Sequence, residues 1–416
     1  MKPLLSRTTL GDRPAPPERI VHLGLGAFHR AHQAWYTTRA ADADQWGIAA
    51  FTGRSRTLAD RLTAQQGVYT LVERGPDGDR HETIGSIVRA LPGSDTGAFV
   101  EAVARPETAI LTLTVTEAAY RLAPGGGPDL TDPAIAADIA LIKTFAGVRV
   151  QSTVPTPATV LGRTLLALEA RRRIAAPALA IVPCDNLAAN GEAVRNALQT
   201  LAGQVSPALR DWLPTGVSVV STSVDRITPR VTAGESTRVL AATGHRDEAP
   251  VVTEPFADWV LCGDFPSGRP AWESAGARFV DEIGAWETRK LWLLNGAHSL
   301  LAVTGRPRGH TTVAQAFADP ACRAAVEALW DEAARHLPGV QPDDYRKALA
   351  ERFTNPRIEH HLAQIAEDML TKLRLRIAPV ALLERRAGRP ATASLAALTA
   401  SGIPLSDIDP RLEETQ

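Results

Sequence analysis

Arg19-Ile-Val-His-Leu-Gly-Leu-Gly26 sets the frame for the first half of the chain. An apolar run that ends in Gly-x-Gly reads as a short buried strand entering a glycine turn, and residues 27–43 are helix-compatible. A dinucleotide phosphate site needs that order. The first glycine permits a tight turn, the second lets the backbone approach the pyrophosphate, and the helix N-terminus supplies amides and a positive dipole end. His29 stands where the fingerprint has its third Gly or Ala. Two glycines alone are shared with generic strand-to-helix turns, so the surrounding pattern has to decide.

Moving outward, a second strand is expected over 46–53 and a helix over 55–66 with Ser55 as its N-cap. Strand signals follow at 67–73 and 82–88 on either side of the turn Gly75-Pro-Asp-Gly78. A helix over 96–104 and a strand over 108–116 come next, whereas 133–142 is Ala/Ile-rich without a distinctive pattern. The alternation resumes with a helix over 156–175, a strand over 178–183, helices across 191–213 and a strand over 217–221. This order predicts an α/β, doubly wound, mostly parallel sheet. Residues 251–280 are β-rich and close that domain. Beyond Glu282, the segments 285–304, 311–337, 341–353 and 356–386 all read helical. The expected domains are therefore 1–283, dinucleotide-binding, and 284–416, an all-helical substrate and catalytic domain.

A chain of 416 residues with 44% hydrophobic side chains can bury a core in each of two domains. The 45 basic and 46 acidic residues nearly cancel, and no basic run stands out, which argues against nucleic acid or an anionic membrane as partner. Met1-Lys2-Pro3-Leu4-Leu5 lacks a secretory apolar stretch, and no apolar run approaches the roughly 20 residues of a membrane helix. A cytoplasmic monomer or weak homodimer is expected. Cys184, Cys262 and Cys322 are widely spaced and the histidines form no HExxH pattern, so no metal is expected.

Glu287-Thr-Arg-Lys290-Leu-Trp-Leu-Leu-Asn295-Gly-Ala-His298 is the most informative stretch of the second half. On an α-helix of about 100° per residue with Lys290 at zero, Glu287 falls at about 60°, His298 at about 80° and Asn295 at about 140°. Leu291 and Leu294 also fall in that arc, and a solvated polar stripe would explain Lys290 and Glu287 alone. Asn295 and Gly296 are poor helix-interior residues and need a reason to be there. With a nucleotide fold upstream, the set suits alcohol–ketone chemistry, which needs a base for the hydroxyl proton, donors for the oxyanion and a group to orient substrate.

Gly24-Leu-Gly-Ala-Phe-His-Arg-Ala-His32 and Lys290-x4-Asn295-x2-His298 together resemble the mannitol dehydrogenase family, the polyol-specific long-chain dehydrogenases. Thr114-Val-Thr-Glu117, Cys184-Asp-Asn186-Leu with Asn190-Gly191, Val224-Asp225-Arg-Ile-Thr228-Pro229 and Gly268-Arg-Pro-Ala-Trp-Glu273 match in the same order. The resemblance runs from Arg19 to about Arg376. It implies a Rossmann-type first domain, a helical second domain and a catalytic lysine without a metal. By motif match Lys290 is the general acid/base, Asn186 and Asn295 polarise the oxyanion, and His298 holds a substrate hydroxyl. Asp225 lies near the reacting centre and Glu287 is a candidate proton relay. Read from the residues alone, a turn cap or a structural salt bridge is the favoured account of Asn186 and Asp225. Gly24, Gly26, Ala27, Phe28, Arg54 and Glu117 are the implied cofactor contacts.

NAD is the expected cofactor, with NADP open. No acid precedes Asp60 after the second strand, and Arg54 and Arg56 could hold a 2′-phosphate, lie along the adenine or be solvated. A lysine of ordinary pKa, about 10.4, is a poor base at neutral pH. Burial beside a positive nicotinamide ring would lower it.

The family often shows Asp-Gly-Ser-x-Lys after an Asn-Pro helix, but here Asn355-Pro356 is followed by Asp368-Met-Leu-Thr-Lys372, which removes a hydroxyl and adds bulk. The sequence also stops soon after Ile403-Pro-Leu-Ser-Asp, earlier than many relatives. Lys372, Arg374 and Arg376 either meet a sugar-acid carboxylate or form a basic helix face. Mannitol to fructose and mannonate to fructuronate are the leading reactions, with arabinitol a third. Gly268-Arg-Pro-Ala-Trp and Gln364-Ile-Ala-x-Asp tilt slightly to the hexuronate branch. A phosphogluconate-type hydroxyacid dehydrogenase is the alternative enzyme, and a non-catalytic dinucleotide-binding regulator is a second alternative.

Overall fold

Eight runs form β1 (Glu18–Leu23), β2 (Gly47–Phe51), β3 (Tyr69–Gly75), β4 (Gly78–Ile84), β5 (Ile87–Leu91), β6 (Ile110–Leu113), β7 (Leu179–Pro183) and β8 (Val217–Val219). They are followed by β9 (Ser221–Asp225), β10 (Val251–Thr253), β11 (Asp258–Cys262) and β12 (Arg278–Phe279). The computed structural model describes residues 2–11, 14–53, 55–145 and 156–413. The chain packs as two units, one of residues 1–73 and 79–283, the other of residues 74–78 and 284–416.

In the first unit the main sheet runs β5-β2-β1-β6-β7-β8, with every neighbouring pair parallel. Ranked along the chain this is the 3-2-1-4-5-6 order of a Rossmann sheet, with the reversal of strand order between β1 and β6. All positions of β2, β6 and β7 are buried, because helices cover both faces of a parallel sheet. Successive side chains point to opposite faces. Ile20, Ile48, Ala50 and Ile110 enter one core, and Val21, Ala49, Phe51 and Leu111 enter the other.

Several expected elements are divided in the structure, each for a local reason. The helix expected over 27–43 is two helices, Ala27–Ala31 and Gln33–Arg39, with His32 between them at φ −122° and ψ −87°. His32 Nε2 meets the carbonyl of Asp258 at 3.1 Å, a tertiary bond that a continuous helix would not make. The strand expected over 82–88 is split at Gly85-Ser86 between β4, in the sheet β10-β3-β4, and β5, in the main sheet. Ser86 Oγ donates to the Ala34 carbonyl at 2.7 Å across that break. Residues 217–221 divide likewise, and β9 pairs antiparallel with β11. The helix expected from Ser55 starts at Thr57, whose amide donates to Ser55 Oγ at 3.2 Å. Residues 133–145 form a helix (Pro133–Phe145) that the composition did not single out.

The second unit is helical. Residues 285–304 are not one α-helix. Gly284–Arg289 passes into a π-helical turn, Lys290–Asn295, before Gly296–Gly305 resumes α geometry. The helix expected over 311–337 is broken at Asp319, whose carboxylate caps Pro320–Ala334 by accepting from the amides of Ala321 and Cys322 at 2.8 and 3.4 Å. Residues 356–386 form three helices, Leu362–Ile365, Met369–Arg376 and Ala378–Arg386, and Asp368 turns the chain with φ 51°. The hairpin tip Arg74–Gly78 belongs with this unit and not with a continuous 1–283. Asn355 Nδ2 donates to the Arg74 carbonyl at 2.9 Å, and Arg357 donates to that of Gly75 at 2.8 Å.

Arg171 stitches the first unit from inside. It is fully buried on the helix Val160–Arg173 and donates to the carbonyls of Val103, Arg105, Thr108 and Pro177 at 2.6–2.9 Å. Burial pulls its pKa down to about 10, which leaves it charged at neutral pH. Arg171→Met strands those carbonyls and is expected to lower the unfolding free energy by about 2–4 kcal/mol. Denaturant unfolding reads this, and Arg171→Lys should recover only part of the loss.

Candidate active site

The glycine turn lies at the C-terminal edge of β1, beside β6, where the order of the main sheet reverses and a doubly wound sheet opens its ligand crevice. Gly24 has φ +110°, and a Cβ there would lie 2.1 Å from the Thr114 carbonyl oxygen, so the fold itself demands this glycine. Gly26 differs. A Cβ built on it meets only the Gly24 carbonyl, at 3.5 Å, so nothing within the protein requires its missing side chain.

A buried relay holds the turn. His22 Nδ1 lies 2.8 Å from Thr112 Oγ1 and its Nε2 lies 3.0 Å from Thr114 Oγ1, which donates to the Gly24 carbonyl at 2.8 Å. Because Thr114 spends its proton on Gly24, it accepts from His22 Nε2–H, and Thr112 then donates to Nδ1. Burial pulls His22 down to about 3, so the ring is neutral. His29 stacks on it at 3.3 Å with an 8° interplanar angle. Sequence reasoning saw His29 only as a departure from the fingerprint and missed His22 and Thr112. Their shared strand-end position was the available signal.

The other predicted contacts of this unit fall at strand ends. Phe28 stacks on His32 at 4.9 Å, beside Ala27 at the helix start. Glu117 is exposed in the turn after β6. Arg54 lies outside the described residues, and Arg56 pairs with Asp60 at 3.2 Å on the surface. Asn186 is exposed on the loop after β7. That loop is fixed by Asp185, which accepts from Tyr120 Oη at 2.5 Å and from the Leu187 amide at 3.0 Å. Asn190 ties the loop to β9, its Oδ1 accepting from the Thr222 amide at 2.9 Å. Tyr120 and Thr222 are positioning groups that the sequence reading did not name. Asp225 ends β9, buried and opposite Asp258 on β11. Its neighbour Arg226 is structural, donating to the carbonyls of Ala31 and Glu254 at 2.7 and 3.1 Å. Trp272 of the Gly268–Glu273 stretch is core, donating to Thr37 Oγ1 at 3.0 Å and packed on Trp259. That stretch therefore gives less ground for the tilt towards one substrate.

In the second unit the π-turn gathers Lys290 and Asn295, with His298 on the next turn. The Gly296 amide bonds the Leu291 carbonyl, an i→i+5 closure. This wider turn swings Asn295 back towards the Lys290 face, so the 100°-per-residue wheel does not apply across it. Side chains of neighbouring helices serve its carbonyls. Trp330 Nε1 donates to Leu293 at 2.8 Å, and Arg376 and Ser299 donate to Asn295 at 3.3 and 3.1 Å. Gly296 admits the chain here, because a Cβ would come within 3.3 Å of the Arg376 carbonyl. Lys290, Asn295 and Glu287 are half-buried, and His298 is 6% exposed.

Two predicted cations are otherwise engaged. Lys372 Nζ donates to the carbonyls of Ile365 and Glu367 at 3.0 and 2.5 Å. Arg374 donates to the carbonyls of Ile408, at 3.1 Å, and Asp407. These contacts favour a structural role over a carboxylate site. Their neighbour Arg376 is the one that reaches the π-turn.

Comparison with known proteins fits this geometry. Residues 18–274 match the mannitol dehydrogenase Rossmann domain and residues 282–405 match the mannitol dehydrogenase C-terminal domain. The chain is 37% identical over 372 residues to D-mannonate oxidoreductase of Escherichia coli (strain K12), covering 86% of this chain and 74% of that protein. It is 37% identical over 412 residues to D-arabinitol 4-dehydrogenase of Ralstonia nicotianae, covering 95% and 84%. The crystal structure of Pseudomonas fluorescens mannitol 2-dehydrogenase in ternary complex with NAD and D-mannitol aligns with a TM-score of 0.79 at 33% identity, over 96% of this chain and 81% of that one. With both domain matches spanning most of its length, the chain belongs to the mannitol dehydrogenase family, whose enzymes are dehydrogenases acting on a CH–OH group.

Proposed function

We propose that this protein oxidises a secondary alcohol of an open-chain polyol or sugar acid to the ketone with NAD, with Lys290 as the proton-transfer group. The observation that carries the reading is the π-turn, which sets a half-buried lysine and a side-chain amide into one helix face, a recurring device at functional sites. The ternary complex of the mannitol 2-dehydrogenase with NAD and D-mannitol supports NAD and a polyol-like substrate.

The glycine turn fits a dinucleotide. Gly24 is required by the Thr114 carbonyl, whereas Gly26 leaves its backbone open to a ligand. Gly24, Gly26, Ala27 and Phe28 would hold the cofactor, joined by Arg54 and Glu117 on the strength of their motif positions. Bound NAD supplies the acceptor for the hydride that leaves the carbinol carbon. Lys290 Nζ, in its neutral form, takes the hydroxyl proton. Asn295 donates its amide protons to the developing oxyanion, and Asn186 does the same by motif match. His298 orients a substrate hydroxyl, Asp225 stands close to the reacting centre, and Glu287 passes the proton onward. In the reverse direction the Lys290 ammonium protonates the alkoxide.

Three measurements test this. Turnover of D-mannitol, D-arabinitol, D-sorbitol and D-mannonate should be seen with NAD in preference to NADP, and Lys290→Ala should cut kcat about 10²–10⁴-fold. Only the neutral amine accepts a proton, so kcat/KM for oxidation should rise with pH to a plateau while ketone reduction falls. His298 and His360 lie well below neutrality, the latter at about 4, so this rise above pH 6 is not theirs. Near-normal turnover by Lys290→Ala with the preferred substrate would end the proposal.

The glycines give a second prediction. Gly26→Val should weaken NAD binding at least roughly tenfold while changing stability by only about 0.5 kcal/mol. Gly24→Ala should instead lower the unfolding midpoint, because its Cβ strikes backbone.

A further inference from the structure

The N-terminal segment of the first unit walls a cavity that neither the glycine turn nor the π-turn uses. The Leu5 amide donates to the Arg246 carbonyl at 2.9 Å, and the Arg246 amide donates back to the Pro3 carbonyl at 2.8 Å. Further along, the Thr8 amide and hydroxyl donate to Gln66 Oε1 at 3.1 and 3.3 Å. Held at both points, the segment carries Arg7 and Leu10 to the wall of a cavity of about 340 Å³, completed by Thr38, Val68, Thr83 and Gly85. That volume falls in the range of small-molecule pockets, roughly 300–1,000 Å³.

Arg7 sets the chemistry of that wall. Its Nε donates to the Gln66 carbonyl at 3.1 Å, and its Nη2 donates to the carbonyls of Gly85 and Ile87 at 2.5 and 2.8 Å. These neutral acceptors fix the guanidinium, but none balances its charge. Among the described residues half-buried Arg7 has no carboxylate partner, and burial lowers its pKa. A cation drawn partly out of water without a counter-ion is costly, and an anion bound beside it relieves that cost. Nη1 is the nitrogen left over. Beyond its chain neighbours, a Cβ built on Gly85 meets only Nη1, at 3.7 Å, so this arm borders open space. Thr38 Oγ1 accepts from the Ser86 amide at 3.3 Å and keeps its own proton for another acceptor. Thr83 brings a second hydroxyl, and Leu10 with buried Val68 brings apolar surface.

We propose that this cavity binds a small organic acid, its carboxylate on Arg7 Nη1 and the hydroxyls of Thr38 and Thr83, its aliphatic body against Leu10 and Val68. One free guanidinium nitrogen with two N–H groups, supplemented by hydroxyls, suits the two oxygens of a carboxylate. The apolar wall selects an acid with a hydrocarbon end over a bare inorganic anion. Through the carbonyls that Arg7 holds, such a ligand braces the break between β4 and β5. The site shares no residue with the proposed dehydrogenase centre and stands or falls apart from that reading.

The test uses the full chain. Isovalerate, its neutral isostere isovaleramide and inorganic phosphate are titrated by calorimetry and by the shift of the thermal unfolding midpoint. Isovalerate should bind and raise the midpoint, as a ligand of the native state does. Isovaleramide should bind about 10- to 100-fold more weakly, the range of a charge-assisted hydrogen bond. Arg7→Met should weaken isovalerate binding by a similar factor. Gly85→Val keeps Arg7 and fills the space before Nη1, at a position whose backbone does not need a positive φ, so it should weaken binding as well. If Arg7→Met fails to fold, Gly85→Val and the amide comparison still decide. Isovaleramide or phosphate bound as tightly as isovalerate would overturn the proposal, as would unchanged isovalerate affinity in either folded variant. So would an absence of isovalerate binding to the wild-type chain up to roughly 10 mM.

Discussion

Where the carbonyls of the Lys290–Asn295 turn go is the constraint on which the chemistry proposed for the second unit depends. An i→i+5 turn disturbs the regular helical ladder and persists only where other donors compensate. Here those donors are Trp330 on Leu293 and Arg376 with Ser299 on Asn295. The helices carrying Trp330 and Arg376 are thereby committed to the same short segment. Packing, hydrogen bonding and the presentation of Lys290 are one arrangement, and a change in any of them reaches the others.

The first unit solves a similar problem with a different device. A glycine turn at the β1–β6 reversal must hold a strained φ while leaving its outer backbone clear. The Thr112–His22–Thr114 relay takes up the Gly24 carbonyl from beneath, and neutral His22 stacked on His29 fills the space under the turn. Gly24 is thus explained by the fold, and Gly26 is left to be explained by a ligand.

Much of this was legible in the sequence. The parallel sheet announced itself because strands covered on both faces leave continuous apolar runs, and the glycine turn stood at the end of the first of them. Lys290, Asn295 and His298 were correctly read onto one helical stretch. The π-turn was not legible, since an extra residue in a turn leaves little mark beyond the misfit of Asn295-Gly296 in a helix interior. The break at His32 arises from a tertiary bond to Asp258, which no local propensity encodes. Trp272 and Lys372 show the opposite case. Their motif context suggested substrate discrimination, yet one is core and the other holds backbone carbonyls. His360, adjacent to an exposed His361, gave no sign that its ring would meet His298.

The central claim is that the π-turn, as held by its side-chain donors, presents Lys290 for proton transfer. Its most direct test is single-turnover alcohol oxidation by Trp330→Phe, with NAD affinity measured in parallel. Loss of the indole donor leaves the Leu293 carbonyl a partner short, and the account predicts a rate lower by roughly tenfold at saturating substrate with NAD affinity unchanged. A folded Trp330→Phe protein that transfers hydride at the wild-type rate would contradict it.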